Sequence, residues 1–184
     1  MRQLKAEMFN REASDPKNKP NKILEVLALK HGQMVADIGA GGGYFTLRFA
    51  EAVGKDGRVF AVDTNPKFLE FINDCAKKGG LDNVETILAA GENLALPKGS
   101  LDLIFMRNVC HHLQDRVEYF RKLRHLLKPN GRIAIIERAK PLTFHGMFGH
   151  YVPRETIIKE MKEAEFLVNQ DFDFLPGQSF IIFA

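Results

Sequence analysis

The segment Asp37-Ile38-Gly39-Ala40-Gly41-Gly42-Gly43 joins a short apolar run, Met34 to Ile38, to a stripe of apolar residues at helical spacing. The run has the length of a buried strand, and Phe45, Phe49 and Val53 mark one face of a helix. Glycines between the two elements permit a tight turn and let a ligand approach the bare backbone. The helix beyond them offers unpaired N–H groups to a carboxylate or a phosphate. The segment therefore predicts a strand, a ligand-binding loop and a helix in direct succession.

Short apolar runs alternate with helical stripes along the rest of the chain. Further strands are predicted at Arg58 to Asp63, Val84 to Ala89, Leu101 to Met106, Arg132 to Glu137, Phe166 to Leu175 and Ser179 to Ala184. The apolar faces of the intervening helices are Phe68, Leu69, Ile72, Cys75 and Ala76, then Tyr119, Phe120, Leu123, Leu126 and Leu127, then Ile157, Ile158, Met161 and Ala164. Strands that alternate with helices pack as a parallel sheet covered on both faces, so we predict a doubly wound, Rossmann-like α/β fold.

Length and composition indicate one globular domain over residues 1–184, with residues 1–20 as a leader or lid. The net charge of +3, from 26 Lys and Arg against 23 Asp and Glu, does not favour a nucleic acid or an anionic membrane as partner. No apolar run approaches the roughly 18 residues of a membrane span, and we expect no signal peptide. Cys75 and Cys110 form neither a metal-binding spacing nor a disulfide framework, so we expect reduced thiols in a cytoplasm.

An acidic residue ends the second predicted strand. Asp63 lies 20 residues after Gly43, where a carboxylate accepts hydrogen bonds from vicinal ribose hydroxyls. The loop and the acid together describe a pocket for an adenosine-like ligand with an anionic tail. A dinucleotide loop has the pattern G-x-G-x-x-G/A, but the register from Gly39 and Gly41 reaches Tyr44, which is a poor fit. A nicotinamide-dependent oxidoreductase is therefore the less favoured of two cofactor classes.

The pattern D-x-G-x-G-x-G resembles the first motif of class I methyltransferases that use S-adenosylmethionine (SAM). The likeness extends from about Met34 to the C-terminus, and its nearest branch is that of the small quinone-methylase and arsenite-methylase-like enzymes. The segments that carry it are Val35 to Tyr44, Ala61-Val62-Asp63, Gly91-Glu92-Asn93-Leu94 with Pro97, Leu101 to Ile104 with Asn108 and His111-His112-Leu113, and Leu126 to Gly131.

This resemblance implies a seven-stranded, mostly parallel sheet whose last strand is antiparallel, with helices on both faces. It also implies methyl transfer from SAM, leaving S-adenosylhomocysteine, to a small molecule or to one presented in a homodimer interface. The implied cofactor-binding residues are Asp37, Gly39, Ala40, Gly41, Tyr44, Asp63, Thr64, Ala90, Gly91, Glu92 and Asn108. Many members of the family carry an Asp where this chain has Ala90, so we expect backbone and apolar contacts to hold adenine.

Methyl transfer from a sulfonium is an in-line displacement that needs no acid, and positioning of the nucleophile is the main task. His111 and Glu137 are the candidate catalytic residues, because each follows a predicted strand on the ligand side and could act as a base or orient the acceptor. Two structural roles compete with this hypothesis. The His111-His112 pair could cap a helix or pack, and Glu137 could pair with Arg138 or Arg107.

Two segments are candidate lids. Residues 141–152 hold aromatic rings and two histidines, His145 and His150, whose spacing does not match a zinc helix, so we assign no metal. The stretch Met8 to Arg11 is expected either to close over the cofactor or to form a disordered leader. Two further functions stay open, a non-catalytic SAM-binding subunit and RNA methylation, and the modest charge weakens the second.

Overall fold

A computed structural model describes residues 2–90, 94–138 and 151–184 of the chain. Two compact units contain these residues, Met1–Pro97 and Lys98–Ala184. None of the helices in the described ranges has the length and apolar character that crossing a membrane requires. The predicted lid lies outside the described residues, apart from Tyr151 and Val152.

The first unit contains three parallel strands and four α-helices among its described residues. Its elements are α1 (Arg2–Ser14), α2 (Pro20–Leu27), β1 (Met34–Ile38), α3 (Tyr44–Val53), β2 (Arg58–Asp63), α4 (Pro66–Lys78) and β3 (Val84–Leu88). β2 pairs in parallel with β1 on one side and with β3 on the other. The register places Ile38 opposite Val62 and Asp63 opposite Leu88, so the three strands end at one edge.

The second unit carries the antiparallel part of the sheet. Its elements are β4 (Leu101–Arg107), α5 (Arg116–Arg124), β5 (Leu127–Arg138), α6 (Arg154–Glu163), β6 (Val168–Phe172) and β7 (Gln178–Phe183). β4 and β5 are parallel, whereas β7 runs antiparallel to both β5 and β6. Over the chain the strand order is β3-β2-β1-β4-β5-β7-β6, which confirms the predicted seven-stranded α/β sheet and its antiparallel last strand.

Helix α4 shows how the sequence sets these boundaries. The Asn65 side chain accepts a hydrogen bond from the Lys67 N–H, and Pro66 occupies the first turn, where its missing N–H costs nothing. Phe68 and Ile72 are buried on the face that the periodicity predicted. The helix ends at Lys78, before the Gly79-Gly80 pair. A cap of this kind stabilises a helix by about 1 kcal/mol.

Strand β5 begins earlier than its sequence predicted. It starts at Leu127 rather than Arg132, so Leu127 belongs to a strand and not to the preceding helical stripe. Leu101 pairs with Leu127, and the register then shifts before Leu103 pairs with Arg132. This irregularity accommodates Pro129, which lacks a donor for a regular ladder. The turn predicted from Pro129 to Gly131 is therefore an irregular part of the strand.

Candidate functional site

Three glycines in the loop between β1 and α3 have backbone conformations in the left-handed region. Gly39, Gly41 and Gly43 have φ values of 74°, 57° and 82°, which side chains with a Cβ rarely adopt. The N–H groups of Gly39 and Ala40 both donate to the Val62 carbonyl, at 2.8 and 3.1 Å. These two bonds attach the loop to the end of β2. The strand, loop and helix follow one another directly, as the sequence predicted.

Asp63 fastens the same loop through its side chain. Its Oδ2 accepts a hydrogen bond from the Gly41 N–H at 2.9 Å, and its Oδ1 accepts one from the Asn65 N–H, also at 2.9 Å. The side chain is half-buried. Sequence reasoning assigned Asp63 to a ribose and missed this bond to Gly41. The carboxylate therefore holds the glycine loop to the end of β2.

Asp37 is buried under the loop at the end of β1. The Thr46 hydroxyl, one turn into α3, donates a 2.6 Å hydrogen bond to Asp37 Oδ2, and both side chains are buried. A charge-assisted bond of this length is among the stronger ones in proteins. It ties the strand to the helix on either side of the glycines.

An asparagine that is far from the loop in sequence also holds the loop in place. Asn10 of α1 donates from Nδ2 to the Gly42 carbonyl at 2.8 Å, and its Oδ1 accepts from the Tyr44 N–H at 3.1 Å. A Cβ at Gly42 would lie 2.2 Å from the Ala6 carbonyl oxygen and 2.3 Å from Asn10 Oδ1. Helix α1 therefore rests directly on the loop, and Asn10 satisfies the first N–H of α3.

Other predicted cofactor residues lie around this core. Tyr44 is half-buried, and its ring packs edge-on against Phe45 at 5.2 Å between centroids. Thr64 and Ala90 are exposed just after β2 and β3, whose ends are joined by the Ala89 N–H bond to the Asp63 carbonyl at 2.9 Å. The predicted sites at Gly91 and Glu92 lie outside the described residues.

In the second unit the structure brings together the two candidate catalytic residues. His111 follows β4 in a short 3-10 turn, and Glu137 ends β5. His111 Nδ1 lies 3.0 Å from Glu137 Oε1, with 4% of the histidine side chain and 0% of the glutamate side chain exposed. The carboxylate also accepts the Arg138 N–H at 2.9 Å and, more weakly, the His111 N–H at 3.4 Å. Sequence reasoning named both residues without predicting their contact.

The surroundings of this pair are buried and charged. Burial, reinforced by the negative charge of Glu137, raises the pKa of the Cys110 thiol well above its usual range, so the thiol stays protonated. Arg116 donates from Nε and Nη2 to the two oxygens of Glu160, at 2.6 and 2.7 Å. This hydrogen-bonded pairing with Glu160 raises the pKa of Arg116. Cys110 is therefore a buried, protonated thiol at neutral pH, which is the less reactive form of a cysteine.

Asn108, between β4 and the histidines, has an unusual backbone. Its φ is 56°, in the left-handed region, and its N–H donates to the Ile136 carbonyl at 2.8 Å. Its Oδ1 is buried and has no hydrogen-bond partner within the described ranges. A buried acceptor left without a donor costs roughly 1–3 kcal/mol, so such groups are rare in folded proteins.

Comparison with known proteins identifies sequence relatives of this chain. A family model described as a methyltransferase domain matches residues 36–135. The ubiquinone/menaquinone biosynthesis C-methyltransferase UbiE of Enterobacter sp. (strain 638) is 30% identical over 120 residues, which is 65% of this chain and 48% of that protein. The same enzyme of Escherichia coli is 29% identical over the same shares. The chain thus spans about half the length of these curated relatives.

Solved structures share the fold at lower identity. A SAM-dependent methyltransferase from Aquifex aeolicus superposes with a TM-score of 0.86 and 22% identity, over 97% of this chain and 95% of that one. The [4+2]-cyclase SpnF superposes with a TM-score of 0.72 and 19% identity, over 84% and 60%. Since the family model covers more than half of the residues, from β1 into β5, the chain belongs to the methyltransferase domain family.

Proposed function

We propose that this chain transfers a methyl group from SAM to a small-molecule acceptor. The observation that carries the proposal is the Asp63 carboxylate, placed at the end of β2 and bonded to the Gly41 N–H of the glycine loop. The loop of a dinucleotide enzyme would need a small residue where this chain has the half-buried Tyr44. SAM supplies a methyl group on a cationic sulfur, so the reaction needs no acid for its leaving group.

The hydrogen-bonding capacity of Asp63 fits the ribose of SAM. Each carboxylate oxygen offers about two acceptor positions. One position on Oδ2 takes the Gly41 N–H and one on Oδ1 takes the Asn65 N–H. Each oxygen therefore keeps capacity for one hydroxyl donor, which is the number that two vicinal ribose hydroxyls require. The bonds from Gly41 and Asn65 hold the carboxylate in one orientation.

The remaining parts of SAM match groups of different chemistry. The backbone of Gly39, Ala40 and Gly41 would accommodate the methionine part, because the glycines leave their peptide groups uncovered by side chains. Ala90 is exposed and uncharged, so adenine would be held by peptide groups and apolar contact.

The acceptor is proposed to be a small organic molecule. The curated relatives at 29–30% identity are named as C-methyltransferases of ubiquinone and menaquinone biosynthesis, which supports an organic acceptor. The fold does not by itself determine the reaction, since a structure named as a [4+2]-cyclase shares it. We also propose a cytoplasmic location, supported by the two free thiols of Cys75 and Cys110. A tagged chain recovered in an extracytoplasmic fraction would contradict that location.

Calorimetric titration tests the cofactor. Wild-type protein, Asp63→Ala and the matched surface control Asp56→Ala are each titrated with SAM, S-adenosylhomocysteine and NADH. We expect micromolar SAM binding that Asp63→Ala weakens more than tenfold, because hydrogen bonds to a charged group contribute about 1.5–3 kcal/mol each. Asp56 is exposed, and its variant should bind as the wild type does. Firm NADH binding without SAM binding would move the chain to the oxidoreductases.

Turnover separates an enzyme from a non-catalytic SAM-binding subunit. Release of S-adenosylhomocysteine is followed with small organic acceptors, in wild-type protein and in Asp63→Ala. Turnover that is lost in parallel with SAM affinity supports catalysis by this chain. Binding without turnover on any acceptor would leave the role of a SAM-binding subunit.

A further inference from the structure

Helix α1 lies outside the segment that carries the family likeness. The methyltransferase-domain model matches residues 36–135, whereas α1 spans Arg2–Ser14 and rests on the glycine loop of that segment. We infer that docking of α1 on the loop is coupled to the cofactor: bound SAM stabilises docked α1, and docked α1 slows the release of SAM. The inference rests on the proposed function, since it takes SAM as the ligand of the loop, and it adds a means of regulating that same site.

The glycine loop has an open end and an end that α1 covers. Gly39 is exposed and Gly41 is half-buried, so a ligand can reach the backbone at these residues. Gly42 is buried, and a Cβ placed on it would be 2.2 Å from the Ala6 carbonyl oxygen of α1. A ligand at the open end and α1 at the covered end therefore contact neighbouring residues of one short loop, and both can be bound at the same time.

Gly41 links the two ends of the loop. Its N–H donates to Asp63 Oδ2, the carboxylate proposed to hold the ribose, at 2.9 Å. The position of a Cβ on the same residue is 3.3 Å from Cδ2 of the Phe9 ring. The carbonyl of the next residue, Gly42, accepts the Asn10 side-chain N–H at 2.8 Å. A ligand that fixes the peptide groups at Gly41 therefore also fixes the surface on which α1 lies.

Helix α1 is held by few contacts, so a ligand can change how much of it is docked. Among its described side chains the buried apolar ones are Ala6 and Ala13, whereas Leu4 and Met8 are 64% and 51% exposed. An isolated helix of 13 residues is marginal in water, so α1 depends on its contacts with the rest of the protein. Elements with little buried apolar surface open locally at a small free-energy cost.

The coupling between α1 and the cofactor acts in both directions. The factor by which SAM stabilises docking equals the factor by which docking strengthens SAM binding, because both describe one equilibrium. The loop does not have to move for this to happen. A ligand that restricts the loop leaves less freedom for α1 to remove when it docks, so the second event costs less entropy. Docked α1 thus prolongs the lifetime of the complex with the cofactor.

Hydrogen exchange with S-adenosylhomocysteine is the first test, since this probe binds without being consumed. The wild-type protein is compared with and without saturating probe, and α2 (Pro20–Leu27) serves as the internal reference. We expect the α1 amides to exchange at least about fivefold more slowly with the probe, the lower end of typical couplings, with a smaller change in α2. Bound probe without this difference between α1 and α2 would overturn the inference. Failure to bind the probe would instead overturn the proposed function.

Stopped-flow release of S-adenosylhomocysteine is the second test. Phe9→Ala removes the ring beside Gly41, and we expect the probe to leave at least about fivefold faster, with little effect of the probe on α1 exchange. The matched control is Leu4→Ala, because Leu4 belongs to the same helix and is 64% exposed. It should behave as the wild type does. Equal release rates in Phe9→Ala and wild type, or equal acceleration in both variants, would contradict the coupling. The exchange test on wild-type protein decides the matter if Phe9→Ala fails to fold.

A double variant distinguishes coupling through α1 from direct contact between Phe9 and the ligand. Asn10→Ala loosens the same helix by removing its bonds to Gly42 and Tyr44. If both residues act through docking, Phe9→Ala should add little to the release rate once Asn10→Ala has undocked α1, so the two effects fall short of their product. Release factors that multiply in Phe9→Ala/Asn10→Ala would mean that each residue acts on the ligand by itself, and would overturn the inference.

Discussion

Asn10 joins two elements with one amide group. Its oxygen accepts the Tyr44 N–H at the start of α3, and its nitrogen donates to the Gly42 carbonyl in the loop. No side chain of the loop itself caps α3, whose N-cap residue is Gly43. An asparagine from another helix thus does what a Ser, Thr or Asp at the N-cap position does in most helices. This arrangement frees the loop to consist of glycines that a ligand can approach.

Replacement of Asn10 should therefore weaken the binding of SAM. Asn10→Ala leaves the Tyr44 N–H and the Gly42 carbonyl without this partner, so we expect a loss of about 1–3 kcal/mol in unfolding free energy and roughly tenfold weaker SAM binding. Asn10→Asp keeps the acceptor for Tyr44 but turns a carboxylate oxygen towards the Gly42 carbonyl oxygen, so its stability should fall as well. Urea unfolding and calorimetry measure the two effects.

The exposed neighbour Arg11 provides a control on the same helix. Arg11→Ala should change the unfolding free energy by less than about 0.5 kcal/mol and leave SAM affinity as it is, since surface substitutions seldom do more. An Asn10→Ala protein that binds SAM as tightly as the wild type would show that the loop does not depend on α1.

Helix α1 packs on the loop through a backbone carbonyl and an aromatic ring. The Ala6 carbonyl lies against Gly42, and the Phe9 ring lies beside Gly41, where a Cβ would be 3.3 Å from Phe9 Cδ2. Phe9 in turn meets Phe68 of α4 edge-on at 5.6 Å between centroids. The helix is therefore positioned from two sides, by the loop and by α4.

Gly42→Ala tests that packing at the level of the element. The added Cβ would meet the Ala6 carbonyl oxygen at 2.2 Å, so α1 must move away from the loop. We expect a cost of about 1–3 kcal/mol, typical of overpacking, together with faster hydrogen exchange of the α1 amides. Gly79→Ala is the matched control, because its Cβ makes only ordinary contact at 3.4 Å and its φ of −84° suits any residue. That variant should be neutral or slightly stabilising, and equal costs in the two proteins would refute this account of α1.

The order of elements was predictable because burial and periodicity are local properties of the sequence. β1, β2 and α4 have apolar residues at regular spacing and are bounded by glycine, proline or asparagine, and the structure has them where the sequence places them. Helix α1 had no such signal, since Leu4 and Met8 are exposed and Ala6 and Ala13 are the apolar residues it buries among those described. Its stability comes from tertiary contact, which no local pattern reveals.

The candidate site also has a part that local sequence predicts and a part that depends on tertiary contact. The positions of Asp37, Asp63 and the glycines were predictable because each lies at a strand end or in a loop that local sequence defines. The Asn10 bonds to Gly42 and Tyr44 span 32 and 34 residues, and the His111–Glu137 contact spans 26. Such pairs depend on which strand ends meet, and several arrangements of the same residues satisfy the local pattern. These long-range polar contacts are therefore the part of the candidate site that required the structure.

At the scale of the whole molecule, stability should fall in alkali for an identifiable reason. Burial raises the pKa of Tyr119 from 10.0 to about 12, with a smaller contribution from the neighbouring Cys110. The unfolded chain releases the phenol proton near pH 10, whereas the folded chain keeps it until about pH 12. Above pH 10 the unfolded state thus binds fewer protons, and the free energy of unfolding falls as the pH rises. The stabilisation is fully present below pH 10 and is lost between pH 10 and 12.

Tyr119→Phe should remove this dependence while keeping the buried ring. Between pH 8 and pH 11 the wild type should lose about 1 kcal/mol more than the variant in unfolding free energy, because each pH unit beyond the unfolded pKa costs up to about 1.4 kcal/mol. Cys110 is present in both proteins, and its raised pKa acts in the same direction, so it cancels in the comparison. Urea unfolding at pH 8, 10 and 11 measures both slopes. Parallel losses in the two proteins would mean that Tyr119 ionises as readily in the folded chain as in the unfolded one.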